Sequence, residues 1–411
     1  MLRSGDSLLR LTRSTSIMLY KVDGIDQAKF RVPRQNQKSH GMDTLIRPAL
    51  HVQGCWAHGF GFHFAVADQD LKKDTTTNVE VIARMSESIY RKHGGMPLTL
   101  TIIQDNCARE CKKSLILKVI GKWVIMKIHK HVWLTYPEKG HSHGTLDAVF
   151  GQATVKLGNS EFDDDEDVVK TLQGFLTDGS LEPGTDSNAV AYKLDQAAQW
   201  VEWADADFQC KCTGLVGPLA PHSFHICQRQ DLSCDEVHAE KTSWPGAPPP
   251  HGGDLVVAIR SNMSDRKPFQ VALMAPHQLV KRMRLGAEAQ PKGIHERRPF
   301  SWSDRDKIIL QAKKCFDKRA ISKKTLTYLT EWCMGKRRQN SRPKEYGFLQ
   351  HRWSDSSNDS EQLAPSAAIY LDPKWARKPR LITMTNDHQA NEDESAEGEE
   401  DMPLQVVTDE R

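Results

Sequence analysis

The chain has 411 residues, enough for two or three domains, but its 38% hydrophobic content and mean hydropathy of −0.57 are low for a fully packed protein, so part of it is expected to be unstructured. No apolar run approaches the ~20 residues that span a bilayer, and the N-terminal MLRSGDSLLRLTRSTSIMLY lacks the apolar core of a secretory signal. Nine cysteines scattered without a framework fit a reducing compartment, so an intracellular protein is expected, nuclear or cytoplasmic, neither secreted nor membrane-bound.

The first stretch, residues 1–176, alternates strand-like and helix-like patterns. Residues 16–23 form a short apolar run ending in Asp23, and 50–67 read as two strands around a Gly59/Gly61 turn. Val79, Ile82, Met85 and Ile89 lie at helical spacing, with Gly94-Gly95 as the stop. A strand over 98–104 follows, ending just ahead of Asp105, then a helix over 108–123, a strand over 124–134 and a helix over about 145–157. Three strands, helix, strand, helix, strand, helix, with acids ending the first and fourth strands, is the element order of the ribonuclease H-like fold.

Residues 177–285 read as a smaller β-rich accessory domain. It holds a Trp-rich helix over 192–204, a Cys/His segment, the Pro-rich break PGAPPPHGG and strand-like runs at 255–260 and 269–274. A basic helical arm, 296–353, is expected to carry two helices, the first capped by Ser303 with Asp306 behind it and the second by Ser322. Residues 281–344 hold 19 Lys and Arg against 6 Asp and Glu, a local net of +13, whereas 381–411 hold 10 acids against Arg411, a net of −9. Such separation points to a nucleic-acid-facing arm, with Lys313, Lys314, Lys318, Arg319, Lys336, Arg337 and Arg338 as the phosphate contacts, and to a disordered acidic tail over 354–411. The same charges read equally well as a solvated helix pair.

Asp23 and Asp105 would lie on neighbouring strand ends, and Asp147, one turn into the last helix, could point to the same spot beside His141 and His143. Converging carboxylates are what Mg²⁺ or Mn²⁺ needs to assist phosphodiester chemistry. Each acid also has an ordinary reading: Asp105 as a helix cap, Asp23 as a turn residue before Gly24, Asp147 as a first-turn acid favoured by the helix dipole. Cys210, Cys212, His222, His225, Cys227 and Cys234 fall close together, but C-x-C followed by H-x-x-H-x-C matches no zinc-finger pattern, so ordinary thiols and no zinc are expected. No small-molecule cofactor is expected.

The segments YKVDGIDQAKFRVP, DNCARECKK and GHSHGTLDAVFG resemble the three signatures of a large eukaryotic family of domains of unknown function associated with transposon-derived proteins. That family is regarded as a ribonuclease H-like relative of DDE transposases and integrases. Asp105, Asn106, Glu110 and Lys112 match the second signature, with Lys113 where Asn is usual; Gly140, His141, His143 and Asp147 match the third, with Gly144 and Thr145 replacing an acidic pair. The resemblance implies a metal-dependent nuclease or strand-transferase acting on DNA or RNA. The replaced acids imply, as the alternative, a catalytically degenerate nucleic-acid-binding or interaction module derived from a mobile element.

Overall fold

The computed structural model describes residues 17–25, 30–35, 42, 45–105, 114–137, 145–178, 188–205, 221–239, 253–261, 265, 268, 270–276, 290–291, 301–334 and 344–352. His141, His143, Lys336, Arg337, Arg338, Cys210, Cys212 and the tail over 354–411 lie outside the described residues.

Among the described residues one nine-stranded mixed sheet organises the chain, in the order β6-β3-β2-β1-β4-β5-β7-β8-β9. Its centre comprises β1 (Ile17–Ile25), β2 (Leu50–Ala57), β3 (Gly61–Asp68), β4 (Thr99–Gln104) and β5 (His131–Thr135). β1, β2 and β3 pair antiparallel in sequence, and β4 and β5 then add in parallel on the other side of β1. Helix α1 (Thr75–His93) links β3 to β4 and α2 (Ser114–Ile125) links β4 to β5. Asp74 caps α1 by accepting from the amides of Thr76 and Thr77, and Gly94 ends it at φ 69°, as the paired glycines predict.

Alternation along the strands sends residues to two cores. Met18, Tyr20 and Val22 join α1 and α2 on one face. Ile25, Val52, Phe62 and Phe64 pack on the other against α3 (Thr145–Gly158) and α4 (Asp165–Thr177). The close approach of α3 requires Gly54, because a Cβ there would lie 2.6 Å from the Phe150 ring.

Several elements differ from the sequence reading. The apolar run at 124–134 is not one strand: Val124 and Ile125 complete α2 with Ile116, Leu117, Ile120 and Trp123 buried at helical spacing, and Lys127 turns the chain at φ 59° before β5. A short apolar run carries no period that separates the two states. In place of a helix over 192–204 there are β6 (Val190–Lys193), parallel to β3, and the short α5 (Trp200–Asp205), whose Trp200 and Trp203 enter the core. The segment read as an accessory domain supplies β6 to one edge of the sheet and β7 (Ser223–Gln228), β8 (Gly253–Arg260) and β9 (Gln270–Pro276) to the other. Between β7 and β8 a 3-10 turn at Arg229–Asp231 leads into α6 (Cys234–Ala239).

The basic arm forms α7 (Trp302–Asp317) and α8 (Lys323–Met334), which pack into the α3–α4 core through Ile308, Ala312, Tyr328, Leu329 and Trp332. The cap of α7 is Ser301, whose Oγ accepts from the Asp304 amide, two residues ahead of the expected Ser303, while Ser322 caps α8 as expected by accepting from the Thr325 amide at 3.1 Å. No described helix is long and apolar enough to cross a membrane.

Candidate acidic site

The parallel register of β1 and β4 pairs Val22 with Gln104, so Asp23 and Asp105 follow as neighbours at the carboxyl ends of adjacent strands. Asp23 alternates away from Val22, toward the face that α3 covers, and Asp147 stands in the first turn of α3. The charges of Asp105 and Asp147 both act on Asp23. Asp23 is pushed up to about 6, first by burial, then by the negative charges of Asp105 and Asp147; the Gly24 amide, donating to its Oδ1 at 2.7 Å, and the Lys73 ammonium pull the other way. Asp105 is exposed and Asp147 half-buried, so the group opens to solvent.

Lys73 was missed by sequence reasoning. It precedes the Asp74 cap of α1, and a Cβ built on Gly24 would sit 3.5 Å from its Nζ. Its position depends on the path of the loop after β3, and the Lys-Lys-Asp run ahead of the helix is the one hint the sequence offers. The same charge, after burial, pushes His51 down to about 3, leaving that imidazole neutral. Beneath the acids, Gln53 Nε2 donates to Asn78 Oδ1 at 2.9 Å and Asn78 Nδ2 to Gln104 Oε1 at 3.0 Å. This buried ladder joins β2, α1 and the end of β4, and fixes the strand from which Asp105 emerges.

The carboxylates are not gathered tightly. Among the described residues, the one group of three potential ligands whose atoms all lie within 4.8 Å of one another is His131, His225 and Cys227, elsewhere on the sheet. Of the other Cys/His candidates, His222 Nδ1 lies 3.0 Å from the Tyr136 carbonyl and Cys234 is exposed.

The basic residues described, Lys313, Lys314, Lys318 and Arg319, are all exposed on α7 or just beyond it. Other polar residues of the arm, Lys324 among them, are engaged in docking it. Lys324 reaches Asp164 at 3.1 Å and Asp167 at 2.6 Å, Thr325 donates to Asp163 at 2.6 Å, and the Tyr328 hydroxyl donates to Asp68 at 3.2 Å. Neighbouring Trp302 is 72% exposed, with the Arg305 guanidinium 4.8 Å above its ring.

No curated protein and no solved structure matches the chain. Residues 40–237, from ahead of β2 through β7 to α6, match the family model described as "Domain of unknown function (DUF7869)", and a domain of that family spans this part of the chain.

Proposed function

We propose that the sheet of this chain carries a ribonuclease H-like core of the transposase and integrase type, in which Asp23, Asp105 and Asp147 hold Mg²⁺ or Mn²⁺ and act on nucleic acid. The central strand order β3-β2-β1-β4-β5, with α1 and α2 on one face and α3 on the other, is the arrangement that reading requires. The observation that carries it is the placement of Asp23 beside Asp105 at adjacent strand ends with Asp147 in the first turn of α3, where burial first, and then the charges of those two acids, raise the Asp23 carboxyl to about 6. Like charges brought together at the open end of a sheet are relieved by a cation, and all-oxygen donors suit a hard divalent one. A bound ion of this kind polarises a phosphoryl oxygen and acidifies water. The chain's own part is to present three carboxylates from two strands and one helix, to keep Asp23 protonated up to about pH 6 while no cation is bound, and to offer Lys73 as a fixed positive charge beside the site. The exposed cations of α7 supply a surface for the phosphate backbone.

A second reading has its own support: the carboxylates are spread more widely than a tight metal cluster, and Lys73 already offsets part of the charge at Asp23. On that reading the acids no longer support cleavage, and the chain binds nucleic acid without cutting it.

The test is a Mn²⁺ titration of wild type and Asp105→Asn by calorimetry, with nicking of labelled duplex DNA assayed alongside. Binding by wild type that the variant weakens at least tenfold is expected. Cleavage by wild type alone favours the nuclease, and binding without cleavage favours the silent core. Equal, weak binding by both proteins with no cleavage by either overturns the site.

A further inference from the structure

We propose that His131, His225 and Cys227 form a metal site for a borderline-soft divalent cation, zinc foremost, on the outer face of β5 and β7. The antiparallel register sets His131 opposite Cys227 and Trp133 opposite His225, so the three ligand side chains project from one patch. His131 Nδ1 and His225 Nε2 stand 3.1 Å apart, and the Cys227 Sγ completes a set whose atoms all lie within 4.8 Å. Zinc–nitrogen bonds of ~2.0–2.1 Å in a tetrahedron hold two nitrogens ~3.3 Å apart, so the imidazoles need to part by a few tenths of an ångström only. Two imidazoles and a thiolate are the donors that zinc takes from proteins, and hard cations do not favour them.

The surroundings fix the ligands as an outer shell would. His225 Nδ1–H donates to Glu236 Oε1 at 2.8 Å, which leaves Nε2 with its lone pair aimed at His131 and Cys227. A carboxylate holding the far nitrogen is the usual companion of a metal-bound histidine. Glu236 is itself held by the Ser233 amide at 3.0 Å and by Arg260 Nη2 at 2.8 Å. Trp133 lies flat on the His225 ring, centroids 4.2 Å apart and planes 4° apart, with Arg260 over the indole at 4.6 Å. Cys227 and His225 are buried, whereas His131 is partly open to solvent, which provides an entry path and a fourth position for water.

A metal would also do something apolar contacts do weakly here. Among the residues whose side chains are described, the buried cluster on this face is Cys227, Val256 and Ala258, with Leu232 and Ala239 against it. Among the described residues this is a small apolar cluster for the turn and helix of 229–239, and metal affinity would add directly to folding. On binding, the Cys227 thiol loses its proton to solvent, and His131 moves its proton from Nδ1 to Nε2. The strands run ~20 Å from this patch, level with Thr99, to the acids beyond Gln104, so the two sites are separate.

The test uses the full chain, stripped with chelator under reducing conditions and titrated with Co²⁺. Expected is one Co²⁺ per chain, with a thiolate-to-cobalt charge-transfer band in the near ultraviolet that Zn²⁺ abolishes by displacement. Cys227→Ser removes the band, His131→Ala weakens binding at least tenfold, and Glu236→Gln weakens it ~10–100-fold. Should Cys227→Ser fail to fold by circular dichroism, the partly exposed His131→Ala carries the test. Folded wild type without the band at saturating Co²⁺, or a band unchanged in both variants, overturns the proposal.

Discussion

Asp23 sets the pH response of the empty acidic site. Its carboxyl ionises near 6 in the folded chain against an ordinary 3.8, so between those values the folded chain keeps a proton that the unfolded chain has released. The resulting stability is fully present below about pH 4 and is lost as pH rises through 6, on the order of 3 kcal/mol. In chelator, the urea midpoint of wild type should fall between pH 4.5 and 7, whereas Asp23→Asn should show a flatter profile; parallel profiles would remove Asp23 as the cause. Added Mn²⁺ at pH 7 should recover the loss in wild type only. Gly54 makes a second case. It pairs with Asp23 across β1 and β2, and a methyl group there meets Phe150 of α3, the helix that carries Asp147. Gly54→Ala should cost ~1–3 kcal/mol by overpacking, part of it recovered by adding Phe150→Leu; thermal melts of the single and double variants decide. The three acids were legible in the sequence because strand ends and a helix start can be placed from pattern alone. Lys73 and His131 were not: one depends on a loop path, the other on a partner 94 residues away.

Helices α7 and α8 divide their residues by face. Ile308, Ala312, Cys315, Tyr328, Leu329 and Trp332 are buried against the α3–α4 core, while Lys313, Lys314, Lys318 and Arg319 face outward. The arm is therefore part of the fold, and the nucleic-acid binding proposed for it has to be measured on the full chain. Replacing those four cations by Glu should leave stability within about 1 kcal/mol while lowering duplex affinity and flattening its salt dependence, by roughly 0.9 in log–log slope for each phosphate no longer neutralised. Fluorescence anisotropy across a salt series reads both; an unchanged slope would leave the cations as a solvated face. Trp332→Ala, by contrast, should cost ~3–5 kcal/mol and unfold the pair from the sheet. The charge run announced the helices but not their docking, which rests on partners such as Asp163 and Asp164 far away in sequence. Helix α4 escaped notice because its first turn, Asp165, Glu166 and Asp167, reads as polar loop, although Val168, Leu172, Phe175 and Leu176 follow at core spacing.

Across the whole molecule, Glu80 of α1 gathers distant segments. Its carboxylate accepts from Arg84 at 2.8 Å, the Ala198 amide at 3.0 Å, the Trp200 indole at 3.0 Å and the Tyr346 hydroxyl. Glu80→Ala would take the carboxylate from part-buried Arg84 and leave several buried donors unpaired at once, for a loss of ~3–5 kcal/mol by chemical denaturation, with Tyr346→Phe costing far less. The first four strands were readable because each has its own pattern and stop signals, whereas β5 was read with a start inside α2, its apolar run merging with the end of that helix. The flanks were not, since nothing local says that residues 190–193 return to β3 while 223–228 cross to β5. That crossing has a consequence during synthesis. The central strands are complete once Thr135 has emerged, yet the outer edge of β5 has no partner until Ser223, 88 residues later, and β3 waits for Val190. At ~5–20 residues per second a nascent chain leaves the β5 edge open for ~4–18 s, long enough to pair with a neighbour on the same polysome. Yield on expression should thus depend on what shields those two edges in the interval, and fragments that stop short of β7 should be recovered as aggregate.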